Sequence, residues 1–369
     1  MKIERVEHFY VRMQLKQFFE TSFGRDEFSD KIIVAVYADG LVGWGEAPVD
    51  PHPFYSAETA DTCWMIQRDF LIPMLLGSTV DHATEIPARL GRVRGHQMAK
   101  AGLEAAIWDL EAQMAGISLA KLLGGTRDKI NSGVSIGIQD SVPELFEKID
   151  GYRAEGYQRI KIKIKPGWDA NVVEQVRARY PEILLMVDAN SAYTLADAPM
   201  LKALDGFNLL MIEQPLAYDD ILDHAELQKQ LRTRICLDES IHTVGRAREA
   251  LALGSCKIIN IKPARVGGMT HAREIHTICH EHDIPVWCGG LLESGIGRAA
   301  NVAIASLPNF TLPGDTSASD RYWHEDIVEP PFTLNADGTM DVPSKPGLGV
   351  TVVRDRLDEM SAQHADYHA

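Results

Sequence analysis

Three acidic residues stand at equal intervals, each at the end of an apolar run. Asp188 closes Ile183-Leu184-Leu185-Met186-Val187, Glu213 closes Leu209-Leu210-Met211-Ile212, and Asp238 closes Ile235-Cys236-Leu237. Each interval is 25 residues, enough for one strand, one helix and two short loops. Short, uniformly apolar runs are strands covered on both faces, and such strands belong to parallel sheets with helical crossovers. The three carboxylates then lie at the C-terminal ends of successive parallel strands, where a (β/α)8 barrel builds its site. Converging carboxylates repel unless a cation neutralises them, and an oxygen-only ligand set suits Mg²⁺, with Mn²⁺ as a substitute. Three helix caps would be the plainer explanation, but caps need neither even spacing nor such apolar strands before them.

Lysines occupy the same kind of position. Lys161 and Lys163 alternate with Ile160, Ile162 and Ile164 just before Pro166-Gly167. Alternate residues of a strand share a face, so the two side chains point the same way, roughly 6–7 Å apart. Each ammonium is expected to lower the other's pKa, which is how a lysine becomes a general base near neutral pH. A solvated edge strand guarded by lysines would look similar, but the barrel spacing argues against it. Lys165 falls at the rim, beside the turn. A further lysine, Lys262, ends Ile258-Ile259-Asn260-Ile261 and precedes Pro263. The second and sixth strands of an eight-stranded barrel lie on opposite sides. Lys163 and Lys262 should therefore face each other across the mouth, with the acids between them. This arrangement suits removal of a proton from carbon, with a cation binding the developing enolate oxygens.

The elements that must hold these residues change character along the chain. Lys2 to Gln14 alternates like a strand, and Lys31–Tyr37 and Leu41–Ala47 flank the hairpin signal Asp39-Gly40. Helical patterns follow at Ala57–Leu76 and Gln97–Met114, the second stopped by Gly116. Residues 1–125 thus read as an α+β capping domain. From Asn131 onward strands alternate with helices such as Val142–Glu155 and Asp169–Arg179. The strands are Gly133–Ile138, Arg159–Ile164, Ile183–Asp188, Leu209–Glu213, Ile235–Asp238, Lys257–Ile261, Pro285–Cys288 and, weakly, Phe310–Leu312. Residues 126–325 therefore read as a TIM-like (β/α)7β barrel in an α/β chain. Residues 326–369 are too aperiodic for a domain and are expected to return to the first one.

Composition narrows the class. The chain has 369 residues, 45% of them hydrophobic, and no run long enough to span a membrane. The N-terminus lacks the apolar stretch of a secretory signal. Five cysteines without a CxxC pair suit reduced thiols in a cytoplasm rather than disulfides or structural zinc. A net charge of −15 disfavours nucleic acid but says little about a small-molecule carboxylate as the expected partner, because local cations decide that.

Five stretches carry a resemblance: Arg159-Ile160-Lys161-Ile162-Lys163, Val187-Asp188-Ala189-Asn190, Ile212-Glu213-Gln214-Pro215, Leu237-Asp238-Glu239-Ser240 and Asn260-Ile261-Lys262-Pro263. With them the chain resembles the enolase superfamily over essentially its full length, in its muconate-lactonising subgroup. The later runs Trp287–Gly295 and Leu312–Thr316 resemble more narrowly the branch of o-succinylbenzoate synthases that also racemise N-succinyl- or N-acylamino acids. The resemblance implies Asp188, Glu213 and Asp238 as Mg²⁺ ligands, Lys163 and Lys262 as the acid/base pair, and Lys161 as an auxiliary lysine. It implies Asn190 and Glu239 near the metal, and Arg265 as an arginine typical of the branch. Two capping segments, Phe18–Gly24 with Phe19 and Asp50–Tyr55 with Tyr55, would close over the substrate. Ser135, Gly289, Gly290 and Glu293 complete the candidate binding set, with Gly289 and Gly290 offering space and free N–H groups to a succinyl or acyl tail. An assembly of like subunits and a place in menaquinone biosynthesis are further expectations.

Dehydration and racemisation share one enolate, and the same residues serve both, so the sequence does not rank them. Muconate cycloisomerase and dipeptide epimerase are the alternatives. An epimerase should read an α-ammonium with acids, and only Glu293 is close. Two further motifs point elsewhere. Gly295-Ile296-Gly297-Arg298-Ala299-Ala300 matches a dinucleotide fingerprint, with Asp315 further on, but it comes late and has no ribose-binding strand. This weighs against a nicotinamide oxidoreductase. The glycines are better read as the start of the seventh barrel helix, where N–H groups could hold a substrate carboxylate. His276 and His280 at i and i+4 lack the third ligand of a zinc site and read as surface residues. His364 and His368 carry no signal.

Overall fold

The computed structural model describes residues 1–22 and 24–369. Strands β1 (Ile3–Glu20), β2 (Arg25–Ala38) and β3 (Leu41–Ala47) form an antiparallel meander. Asp39 and Gly40 turn β2 into β3 with φ of 51° and 77°, the two positive values that a tight hairpin of this hand requires. β1 and β2 are longer than their apolar alternation predicts. Their hairpin runs out to the barrel, where Ile138 N–H donates to the Glu20 carbonyl at 3.1 Å and Ser22 Oγ to the Asn190 carbonyl at 3.1 Å. Phe23, in the expected closing segment Phe18–Gly24, lies outside the described residues.

The helix α1 (Gln97–Met114) forms over the expected span. Its small residues let β3 lie directly on its backbone: a Cβ on Gly45 would stand 1.9 Å from the Gly102 carbonyl oxygen and 2.8 Å from the Ala106 nitrogen. Neither neighbour is a side chain that can turn away. Gly45→Ala is therefore expected to cost about 3 kcal/mol through overpacking. A urea titration that finds unchanged stability would refute this close packing.

Seven parallel strands follow in chain order: β4 (Gly133–Ile136), β5 (Arg159–Lys163), β6 (Leu184–Asp188), β7 (Ile212–Glu213), β8 (Ile235–Leu237), β9 (Ile258–Ile261) and β10 (Val286–Cys288). Helices fill the connections, among them Val142–Glu155, Ala170–Arg179, Met269–Glu281 and Gly295–Ala305. The sheet curls into the expected barrel. Its eighth position is not the regular strand that Phe310–Leu312 suggested. Phe310 makes one isolated parallel bridge to Val286, and Gly314 another to Ser132. Pro313 has no N–H to donate, and side chains take the carbonyls a ladder would use: Arg159 that of Pro313, Arg127 those of Pro308 and Phe310.

The barrel interior is layered. Met186, Met211, Cys236, Ile258 and Trp287 form a separate apolar cluster. Two residues further along their strands, on the same face, come Asp188, Glu213, Asp238 and Asn260. The last part of the chain ends in a strand that the sequence pattern hides, β11 (Ser361–His368), antiparallel to β1 with Ala365 opposite His8. It is a largely exposed edge, so its residues need no apolar alternation. His364 stacks on Phe9 with centroids 4.4 Å apart. Among the described residues, no helix is long and apolar enough to cross a membrane.

Candidate active site

Strand register gathers the chemistry. Lys163 pairs with Asp188 between β5 and β6, and Asp188 with Glu213 between β6 and β7. Lys163 Nζ donates to Asp188 Oδ2 and Asn190 Oδ1, both at 2.6 Å. Asn190 in turn donates to Glu239 Oε1 at 3.0 Å, while Glu239 Oε2 is buried without a partner among the described residues. On the opposite side Lys262 Nζ donates to Asp238 Oδ2 at 2.8 Å and to the Tyr55 hydroxyl at 2.9 Å. Tyr55 donates to Asp238 Oδ1 at 2.9 Å, so a capping side chain reaches the strand ends at the barrel mouth. Arg265 also binds Asp238, and its Nε donates to the Ile241 carbonyl at 2.8 Å.

A cavity opens between these two lysines. Ser135, Lys161 and Asn190 line it from the barrel, and Phe19, Asp26, Asp50 and Tyr55 from the cap. Gly290 lines it too, but Gly289 does not have a free N–H, because it donates to the Ile261 carbonyl at 3.1 Å. A Cβ on Gly289 would meet Asn260 Oδ1 at 2.3 Å and Lys262 Cε at 2.6 Å. The missing side chain there makes way for Lys262 rather than for a substrate tail. Glu293 turns out of the cavity: its Oε1 accepts from Asn301 Nδ2 at 2.8 Å. Lys165 sits at the rim, 3.8 Å from Glu20.

The expected mutual lowering of lysine pKa does not hold for Lys161. Burial works to lower it, but Asp315, Glu213 and Asp188 outweigh burial and raise it. Its ammonium lies 2.6 Å from Asp315, 3.0 Å from Glu213 and 3.2 Å from Asp188. Lys262 is likewise raised: Tyr55, Glu213 and Glu239 outweigh burial. Burial pushes the Glu213 carboxyl up, and the Asp188 charge adds to it. Asp188 and Glu213, paired between β6 and β7, and Asp238 on the next strand end are all buried oxygen donors, a set whose chemistry suits a hard cation. Asp238, however, is turned to Arg265, Lys262 and Tyr55. Among the described residues, no group of three or more acid, His or Cys side chains is gathered at metal-holding separation.

Asp315 is the main participant that sequence reasoning missed. It comes from the irregular eighth position and binds Arg159 and Lys161, each at 2.6 Å. In the sequence it stands in the run Leu312–Thr316 and at the end of a dinucleotide-like pattern, and neither signals an ion pair with the second strand. Asn260, which donates to Glu213 Oε1 at 2.7 Å, could have been found from its place two residues before Lys262. Asp315→Asn leaves two buried cations short of their shared carboxylate and is expected to cost about 3–5 kcal/mol. Equal thermal stability of the variant and the parent would contradict that balance.

The helix at Gly295 holds no substrate carboxylate. Glu46 of β3 accepts from the N–H of Ser294 and Gly297 at 3.0 and 2.8 Å, and Asp326 from Gly295 at 2.8 Å. The protein's own acids fill that helix terminus. His276 is buried rather than at the surface: it stacks on Phe310 at 5.6 Å, and its Nε2 accepts from the Asn309 N–H.

Comparison with known proteins agrees with this architecture. Residues 5–124 match the N-terminal domain model of mandelate racemase/muconate lactonizing enzymes, and residues 144–356 the enolase C-terminal domain-like model. The chain is similar to an o-succinylbenzoate synthase of Geobacillus kaustophilus, 51% identical over 97% of this chain and 96% of that one. It is similar to an N-succinylamino acid racemase of an Amycolatopsis species, 49% identical over 98% of each. An enolase-superfamily protein of Listeria innocua superposes with a TM-score of 0.96 at 42% identity, covering 100% of this chain and 99% of that one. The chain belongs to the enolase superfamily, in the family of mandelate racemase and muconate lactonizing enzyme.

Proposed function

We infer that this protein removes a proton α to a carboxylate, acting as an o-succinylbenzoate synthase that also racemises N-succinylamino acids. The observation that carries this is the placement of Lys163 and Lys262, buried on opposite sides of one cavity and each held by a different carboxylate. One lysine reaches each face of a planar enolate, which is what inversion at carbon requires. In dehydration, Lys163 takes the proton and Lys262 stays charged beside the enolate, and hydroxide leaves from the neighbouring carbon. Asp188, Glu213 and Asp238 would hold a Mg²⁺ ion, which supplies a fixed positive charge for the enolate oxygens. Asn190 and Glu239 orient Lys163 and the cation side of the cavity. Tyr55 and Phe19 exclude water from above. The five cysteines are all buried and free, which supports a cytoplasmic enzyme.

A dipeptide epimerase is less well supported, because Glu293, the acid beside the seventh strand, faces away from the cavity. The deciding measurement is kcat/KM for three substrates with one preparation: the cyclohexadiene carboxylate precursor of o-succinylbenzoate, an N-succinylamino acid and the dipeptide Ala-Glu. The first two are expected to turn over far better. Efficient turnover of Ala-Glu alone would overturn the assignment.

A further inference from the structure

The cap side of the cavity carries two acids that the mechanism does not use. Asp26 stands on β2, opposite Phe19 in the hairpin, and Asp50 follows β3 at the start of the loop that carries Tyr55. Both line the cavity. Among the described residues, neither side chain has a hydrogen-bond or ion-pair partner. The cations around them are committed. Lys31 donates to the Ser29 carbonyl and hydroxyl at 3.3 and 3.1 Å, and Lys262 is held by Asp238 and Tyr55. Arg25 binds Glu20 and Asp140. His52 packs against Phe54 and acts on Asp26 only through space, an effect smaller than that of burial. Burial raises both carboxyls, and the charge of Asp26 adds to the effect on Asp50, which is pushed up to about 6.

The barrel wall of the cavity is different. Ser135 Oγ is buried without a partner among the described residues, and Lys161 and Lys163 stand beside it. A substrate held with its α-carbon between Lys163 and Lys262 must send its acyl tail one way and its side chain the other. A succinyl tail ends in a carboxylate, which Asp26 and Asp50 repel and to which the free Ser135 hydroxyl, paired across the strands with Lys161, can donate. The amino acid side chain then faces the two acids. A neutral side chain would leave both carboxylates desolvated and unpaired, whereas a cation of four- or five-atom reach would satisfy them.

Resting on the racemase reading above, we propose that Asp26 and Asp50 make this enzyme selective for N-succinylamino acids with a cationic side chain, lysine or arginine. The test compares racemisation of N-succinyl-lysine, N-succinyl-arginine and the neutral near-isostere N-succinyl-norleucine. The wild-type protein is expected to favour the two cationic substrates by roughly 10- to 100-fold in kcat/KM, mainly through KM. Asp26→Asn and Asp50→Asn should each lower the lysine-to-norleucine ratio by about tenfold, and the double variant further. The wild-type ratio alone decides the matter if a variant fails to fold. Norleucine handled as well as lysine by the wild type overturns the selectivity and leaves the racemase reading standing. A ratio unmoved in well-folded variants overturns the role of these two acids. Failure to turn over any N-succinylamino acid overturns the racemase reading, and this inference with it.

Discussion

Lys163→Ala and Lys262→Ala are each expected to lower racemisation of an N-succinylamino acid by at least ~10³-fold, the scale of a lost general acid or base. The two residues do not substitute for one another. Lys163 is anchored by Asp188 and Asn190, and Lys262 by Asp238 and Tyr55, on opposite sides of the cavity. Inversion needs proton removal at one face and delivery at the other, so either loss blocks it. Loss of one base should still leave exchange of the α-proton in D₂O for the enantiomer that presents its proton to the remaining lysine. Lys163→Arg separates charge from basicity: it keeps a cation near Asp188 but cannot deprotonate at working pH, and should be as inactive as the alanine variant. Near wild-type interconversion of enantiomers by either single alanine variant would sink the two-base arrangement.

Metal removal should have an effect of comparable size. An enolate formed from a carboxylate substrate carries two negative charges on neighbouring oxygens, and Asp188, Glu213 and Asp238 already stand against the lysines that line the cavity. Lys161, Lys163, Lys262 and Arg265 are tied to these acids, so little positive charge is left for the two enolate oxygens. A divalent ion supplies several kcal/mol of stabilisation to such an intermediate, which corresponds to a loss of about 10³-fold or more without it. EDTA-treated protein is expected to be inactive and to recover with Mg²⁺ or Mn²⁺. Glu213→Gln should bind the metal more weakly yet remain folded, since it relieves repulsion with Asp188. Full turnover in rigorously metal-free buffer would remove the cation from the mechanism.

The barrel was legible because its strands announce themselves. Apolar runs ending in Asp188, Glu213 and Asp238 need both faces covered, and their period fits one βα unit. The lysines were legible for the same reason, as charges at alternate positions in an otherwise apolar strand. What the sequence hid depends on partners distant in the chain. β11 (Ser361–His368) is an exposed edge, so nothing in its side chains marks it as a strand. The Gly289 N–H is consumed by Ile261, and the helix terminus at Gly295 by Glu46, 249 positions earlier in the chain. The raised pKa of Lys161 depends on Asp315, whose proximity arises only when the ring closes. Local spacing counts lysine neighbours within a strand but not the acids that another strand brings.

That closure has a mechanical side. Between β10 and β4 the ring is joined by isolated bridges at Phe310 and Gly314 rather than by a continuous ladder. The clasp is the Arg159 guanidinium, which reaches past β4 from β5 to hold the Pro313 carbonyl and Asp315 together. This is the seam of the cylinder, the place where thermal breathing costs the fewest backbone bonds. Amide hydrogens of Thr311, Leu312, Gly314 and Asp315 should therefore exchange with solvent sooner than those of β6 or β9. Because Asp315 also holds Lys161, opening the seam loosens one wall of the reaction chamber while the opposite wall stays shut.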